Sequence, residues 1–209
     1  VEDKKKLLWE YIKAVLTALV LALIIRAFVI QAFTIPSGSM IPTLLVGDYI
    51  LVNKFLLGSP IDLPFTNINL FRMPGLRRPH KGDVIVFKFP VDPSKDFIKR
   101  VVAVEGDKIE ARDKIIYVNG VPANEPFMRH TDNLVLPNRD NFGPIEIPKD
   151  KFFCMGDNRD NSRDSREWGF VDIKDVKGKA LIVYFSKDTS YPLLRVDKVR
   201  FDRIGRLIR

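Results

Sequence analysis

The chain has a single cysteine, Cys154, so it can form no intrachain disulfide. A domain on the oxidising side of a membrane would have to hold together through its core rather than through covalent staples. Cys154 sits within Lys151, Phe152, Phe153, Cys154 and Met155, the pattern of a buried strand. There a thiol behaves as a small apolar group, not as a nucleophile. Histidine is almost as scarce: His80 and His130 both lie among turn residues and read as surface. A Ser/His/Asp triad is left without a well-placed base. Internal repeats and low-complexity tracts are absent. The net charge of +8 favours solubility and anionic lipid headgroups. With neither a basic stripe nor an aromatic platform, nucleic acid is not an expected partner. Asp157, Asp160 and Asp164 are spaced like a calcium loop, but Arg159, Arg163 and Arg166 between them would repel a cation, so no metal site is expected.

Long uncharged runs are few, and the informative one is N-terminal. Residues 14–25 lie uncharged between Lys13 and Arg26. As helix they span only ~18 Å, short of a ~30 Å hydrocarbon core. The wider stretch 7–30 reaches ~36 Å and spans if Lys13 and Arg26 snorkel to opposite interfaces. Alanine and leucine dominate it and the first breaker is Pro36, so helix is expected through residue 30. Trp9 and Tyr11 suit the inner interface. No Ala-x-Ala pattern follows the run, and Ile25-Arg26-Ala27 is a poor cleavage site, which favours an uncleaved anchor over a signal peptide. Lys4, Lys5 and Lys6 place the N-terminus in the cytoplasm by the positive-inside rule. The expected division is therefore a cytoplasmic N-terminus and transmembrane anchor over 1–31 and an extracytoplasmic catalytic domain over 32–209. Residue 1 is valine rather than methionine, which leaves a longer N-terminus or a second upstream anchor open.

The remaining stretch, about 170 residues, suffices for one core or two joined lobes. It reads as mainly β. Strands are expected at 48–52, at 83–89 and 97–104 bridged by Pro90-Val91-Asp92-Pro93, and at 179–185. Residues 115–118 followed by Asn119-Gly120 signal a hairpin, because both turn residues tolerate positive φ. Residues 58–80, with Phe65, Leu70 and Phe71 among prolines and asparagines, read as a long loop. Residues 122–148 read as loop-rich, with an apolar Leu134-Val135-Leu136.

Three blocks carry chemistry. The first is Pro36-Ser37-Gly38-Ser39-Met40-Ile41-Pro42, just beyond the apolar segment. A serine hydroxyl is a poor nucleophile until a base takes its proton. Gly38 gives the chain freedom for a close approach. The second is Phe97-Ile98-Lys99-Arg100-Val101-Val102. On a strand, Lys99 shares a face with Phe97 and Val101, apolar neighbours without an adjacent carboxylate, and Arg100 points away. Desolvation of that kind lowers a lysine from its usual pKa of about 10.4 and makes it a base near neutrality. The third is the polar run 156–166, Gly-Asp-Asn-Arg-Asp-Asn-Ser-Arg-Asp-Ser-Arg.

Together with Lys-Gly-Asp-Val-Ile-Val-Phe at 81–87, these blocks in this order resemble bacterial type I signal peptidase (leader peptidase), a Ser/Lys-dyad serine protease family. The resemblance covers roughly residues 13–183. It implies a folded β-sheet or barrel catalytic domain with one N-terminal transmembrane helix and an inserted β lobe around 105–150. It implies Ser39 as nucleophile, Lys99 as general base, and an oxyanion hole of the Ser39 N–H and the Ser37 hydroxyl. Ser162 would hydrogen-bond and orient the lysine, with Asp164 and Arg166 as a supporting pair and Asp157 and Arg159 bracing the loop. Phe33, Ile35, Met40, Leu44, Ile50, Val86, Phe97 and Ile98 would line small pockets that accept alanine before the cut. Where many members carry Pro-Gly-Asp after the lysine strand, this chain has Glu105-Gly106-Asp107, a local difference in a turn. The implied activity is removal of signal peptides from exported preproteins after Ala-x-Ala sites, at the outer face of the bacterial cytoplasmic membrane. The bilayer is the implied surroundings and the secretion translocon a candidate partner. No cofactor is implied. Three rivals are a dedicated Ser/Lys protease that matures one pilus or conjugation protein, a self-cleaving repressor, and an inactive peptide-binding module. The repressor would need a DNA-binding domain that the sequence does not show.

Overall fold

The computed structural model describes residues 2–62, 69–191 and 196–209. Good helix formers without a proline run as one helix, α1 (Glu2–Phe28). Its described side chains are exposed, and Lys4–Arg26 is long and apolar enough to cross a membrane. The helix stops at Phe28, before the expected end at residue 30. Val29 and Ile30 are β-branched and are captured by the sheet instead. Strand β1 (Ile30–Thr34) pairs antiparallel with β2 (Asp48–Asn53), with Ile30 opposite Asn53. The Lys54 N–H donates to the Val29 carbonyl, which extends that pairing to the helix end.

The expected loop 58–80 contains a hairpin, β3 (Pro60–Asp62) with β4 (Asn69–Arg72). Phe65 lies outside the described residues, as does the side chain of Leu70, while Phe71 is exposed. Next come β5 (Val84–Phe89) and β6 (Asp92–Val104). Pro93 falls inside β6, not in the turn. Phe89 pairs with Asp92 and Lys88 with Asp96, so residues 93–95 bulge out of register. A proline is tolerated there because its missing N–H breaks no ladder bond.

Strands β7 (Lys108–Arg112), β8 (Ile115–Val118) and β9 (Val121–Pro122) form a meander. Asn119 and Gly120 join the last two at φ 54° and 77°, the positive-φ pair that a tight hairpin demands. The loop-rich stretch yields one further strand, β10 (Phe142–Glu146), which pairs with the free edge of β7. Its alternation is broken by Gly143-Pro144, and the signal is lost from the sequence. Leu134, Val135 and Leu136 are exposed. Strands β11 (Lys151–Met155), β12 (Val171–Asp172) and β13 (Val176–Ser186) complete the fold.

The main sheet runs β1-β2-β13-β5-β6-β11-β12, and all its neighbours are antiparallel. The second sheet runs β10-β7-β8-β9. Alternation along β6 and β11 sends side chains both ways. Val101 and Cys154 join Ile85, Phe87 and Phe152 in one cluster. Val102, Ala103, Phe153 and Met155 join Ile109, Ala111 and Ile116 of the second sheet in another. The third cluster, Ile35, Met40, Leu44, Ile50, Val52 and Val183 among it, anchors the segment that carries Ser39. The C-terminal segment closes over that cluster. Ile208 is buried in it, and Arg203 pairs with Asp48 and donates to the Thr43 carbonyl at 3.0 Å.

Candidate active site

The segment after β1 is held at both ends by burial. Ile35 before it and Met40 and Leu44 after it are sealed in the core. Between them Gly38–Met40 makes one 3-10 turn, which leaves Ser39 half-exposed. Ser37 precedes the turn in extended conformation, exposed, and its hydroxyl caps nothing. From the polar block, Asn158 clamps this turn. Its N–H donates to the Ser39 carbonyl at 3.1 Å and its Nδ2 to the Gly38 carbonyl at 3.0 Å. Asn158 was not among the residues singled out from sequence; its place within the polar block was the available signal.

Strand β6 brings Lys99 to the same point. Its Nζ lies 2.5 Å from Ser39 Oγ, across sixty residues of chain. Lys99 is only 3 % exposed, on the face it shares with Phe97 and Val101. Burial lowers its pKa to about 8, because a charged ammonium loses its water there. Asp164 and Asp157 oppose the shift. The neighbours of Lys99 on the shared strand face, Phe97 and Val101, offer no carboxylate, but the fold delivers two from the polar block.

In that block, Asp164 is buried and takes Arg166 Nε at 2.9 Å and Nη2 at 2.8 Å. Burial would raise its pKa, but Arg166, the Gly156 N–H and the nearby Ser162 hydroxyl together outweigh burial and the net shift is downward. Asp164 also accepts from the Gly156 N–H and caps the short helix α2 (Ser165–Trp168). Arg166 donates in turn to the Arg159 carbonyl at 2.6 Å, and Arg159 pairs with Glu125. Asp157 does more than brace a loop. It holds the buried guanidinium of Arg100 through two bonds of 2.8 and 2.7 Å and accepts the Thr43 hydroxyl at 2.5 Å. One network thus ties the nucleophile segment, the lysine strand and the polar block. Removing either partner of such a buried pair leaves an uncompensated charge.

Ser162 departs from expectation. Its hydroxyl is buried and makes no hydrogen bond to Lys99; it lies close enough to Asp164 to help lower that carboxyl's pKa. It fills the space beside Gly156, where an added β-carbon would lie 2.2 Å from Ser162 Oγ and 2.4 Å from the Ser39 carbonyl oxygen. Gly156 is therefore required for close approach. Gly156→Ala is expected to push the Ser39 turn and Ser162 apart and to lower cleavage at least about a hundredfold, the scale for a misplaced reacting group. Cleavage within a factor of a few of wild type, in a protein of unchanged circular dichroism, would contradict this.

Of the eight expected pocket residues, Ile35, Met40, Leu44, Ile50 and Val86 are fully buried. Phe33 and Ile98 are half-buried and pack against that cluster. Phe97 alone of the eight lines the 320 Å³ cleft over Ser39, together with Ser37, Gly38, Lys99, Asn158, Asn161 and Arg163. Neither histidine lines it. His80 is exposed, and His130 Nδ1 lies 2.9 Å from Asp160. Cys154 is buried, and burial pushes its thiol well above the usual range.

The family profile described as "Signal peptidase, peptidase S26" matches residues 8–185. The signal peptidase I of Pseudomonas aeruginosa is 37% identical over 217 residues, covering 88% of this chain and 75% of that protein. That of Pseudomonas fluorescens is 36% identical with the same coverage. The crystal structure of a signal peptidase I from Enterococcus faecalis V583, 28% identical, aligns with 50% of this chain and 98% of that one at a TM-score of 0.42.

Proposed function

The chain belongs to the signal peptidase family, peptidase S26, and is a serine endopeptidase; on that premise we propose that it cuts signal peptides from exported preproteins with a Ser39/Lys99 dyad. The observation that carries the proposal is the 2.5 Å approach of Lys99 Nζ to Ser39 Oγ, by a lysine that burial holds near pKa 8. Neutral Lys99 takes the hydroxyl proton as Ser39 Oγ attacks the scissile carbonyl. The oxyanion forms beside the Ser39 N–H and the Ser37 hydroxyl, preorganised donors of the kind that lower such barriers. The Lys99 ammonium then gives its proton to the leaving amine. In the second half Lys99 takes a proton from water, which attacks the acyl ester, and returns it to Ser39 Oγ as the ester C–O bond breaks and the serine is freed. Asp164, Arg166 and Ser162 hold the polar block against the dyad, and Asn158 fixes the carbonyls on either side of the nucleophile.

Specificity follows from the floor of the acyl side. Phe33 and Ile98 rest on Ile35, Met40, Leu44, Ile50 and Val86, with Phe97 at the rim. A close-packed apolar floor takes an alanine-sized group and rejects a larger one by overpacking. This supports cleavage after Ala-x-Ala. Residues 1–31 serve as cytoplasmic end and single-pass anchor, and 32–209 as the catalytic domain on the outer side of the cytoplasmic membrane, with the β7–β10 lobe as an insertion. Ser39 follows the end of α1 by eleven residues. The anchor then keeps the nucleophile near the depth where a membrane-held signal peptide presents its cleavage site, beside the translocon. The test is a precursor series with Ala, Ser or Leu at the first and third residues before the cut, read by mass spectrometry of the products. Ala and Ser precursors are expected to be cut at the designed bond and Leu ones about a hundredfold more slowly, the scale at which a pocket excludes extra methylenes. Cleavage indifferent to these residues would favour a dedicated protease that reads its substrate elsewhere.

A further inference from the structure

The cleft over Ser39 does not end at the dyad. It shares Asn161 and Arg163 with a second cleft of 490 Å³, lined further by Pro137, Asn138, Arg166 and Glu167. Phe97 at the first cleft rests on the buried Phe89, over which Arg163 stands. Lys99 Nζ lies 5.7 Å from the Phe97 ring, Phe97 stacks on Phe89 with centroids 4.1 Å apart, and the Arg163 guanidinium stands 5.5 Å over Phe89.

The charges along this path differ in their freedom. Arg166 is committed to Asp164 and the Arg159 carbonyl, and Arg139 to Asp132, Asp140 and the Leu134 carbonyl. Arg163 is 62 % exposed; apart from the Phe89 ring, its one partner among the described residues is Glu167, itself 58 % exposed, through a single Nε contact of 3.2 Å. Its two terminal guanidinium nitrogens have no hydrogen-bond partner among the described residues. A solvated pair of this kind contributes little and exchanges partners readily.

We infer that the Asn161–Arg163 cleft receives the first residues of the mature protein, beyond the scissile bond, and that Arg163 selects for acidic side chains there. This rests on the signal-peptide reading above and extends it to the leaving half of the substrate. The leaving amine must depart past Lys99, which protonates it. Phe97 lines the cleft beside Lys99, and Asn161 and Arg163 are common to both clefts, so the departing chain passes along these residues from one cleft into the other. The acyl half is accounted for by the apolar floor at Phe33 and Ile98, which carries no charge.

The experiment uses the full chain in detergent and three precursors that differ only at the second residue after the cut: Asp, Gln or Lys. For wild type, kcat/KM is expected to favour Asp over Lys about fivefold, the scale of an exposed charge contact. Near 1 M salt the preference should vanish, since screening is then within ~3 Å. Arg163→Gln should level the three precursors and Arg163→Glu should favour Lys. The ratio within each variant is the readout, so a general loss of activity does not confound it. An unchanged Asp/Lys ratio in Arg163→Glu overturns the inference, as does a charge preference that appears only when the varied residue precedes the cut. A wild type that cleaves none of the three precursors overturns the signal-peptide reading, and this inference with it.

Discussion

Ser39→Ala and Lys99→Ala, each purified with its anchor in detergent, are expected to lose signal-peptide cleavage by about a millionfold in kcat, the scale for a lost nucleophile or its base. The two losses should not add. A Ser39→Ala/Lys99→Ala double variant should be no slower than either single one, because the two residues perform one step. Precursor binding should survive in Ser39→Ala, since the apolar floor of Ile35, Met40, Leu44 and Ile50 does not depend on the hydroxyl. That separates an enzyme from a binding module: the module would bind equally well in all variants and would never have turned over. If Lys99→Ala kept substantial activity while Ser39→Ala did not, the nucleophile would stand and the base would not. The structure then offers no histidine in its place, because neither His80 nor His130 lines the cleft over Ser39. Residual cleavage would have to come from a water-mediated route.

Much of this site was legible because its parts are short, local and chemically unusual. A lysine inside an apolar strand and a serine between Gly38 and Met40 are visible without knowledge of the fold. What the sequence does not carry is the closure between them. Nothing local says that the Asn158 amide reaches the Gly38 carbonyl, or that Thr43 meets Asp157 across more than a hundred residues. Arg100 looks like a solvent-facing charge on an edge, yet it is fully buried between Asp157, the Gly82 carbonyl and the Arg209 carbonyl. A buried guanidinium is indistinguishable from an exposed one until its partners are in place. Family resemblance placed Ser162 on the lysine, whereas its hydroxyl lies against Gly156 without a hydrogen bond to Lys99.

The fold shows the same division. The hairpin at Asn119-Gly120 was readable because two consecutive positive-φ residues have few alternatives. The end of α1 was not, since no helix breaker occurs before Pro36 and only tertiary pairing of Ile30 with Asn53 decides where helix gives way to strand. Strand β10 escaped notice because Gly143-Pro144 interrupts its alternation. The β3–β4 hairpin was masked by Pro60, which sits at the start of β3, where a missing N–H is harmless.

The second large effect concerns the charge of Lys99, and its sign can be worked out. The folded pKa is about 8, against 10.5 for the same lysine in water. Only the neutral amine can accept the Ser39 proton, so kcat/KM should rise about tenfold per pH unit and level off near pH 8. A rate that climbed without levelling until pH 10.5 would mean that burial does not tune this lysine. The same shift has a stability consequence. Below pH 8 both folded and unfolded chains carry the ammonium, and the folded one bears the full desolvation penalty. Between pH 8 and 10.5 the unfolded chain binds the extra proton, so stability rises with pH; above 10.5 both forms are neutral and the penalty is gone. From the difference in pKa, the penalty is on the order of 3 kcal/mol at pH 7. Lys99→Met, similar in length and uncharged, is therefore expected to be inactive yet more resistant to denaturant than wild type at pH 7, with a gap that closes as pH approaches 10.5. Cys154, whose buried thiol also resists ionisation and feels the Lys99 charge, is replaced by alanine in both proteins so that its titration drops out of the comparison. A Lys99→Met protein less stable than wild type at pH 7, or a gap that did not change with pH, would show that the lysine is held charged by Asp164 and Asp157. The base would then have to be generated by substrate, whose binding would displace the last water from the ammonium.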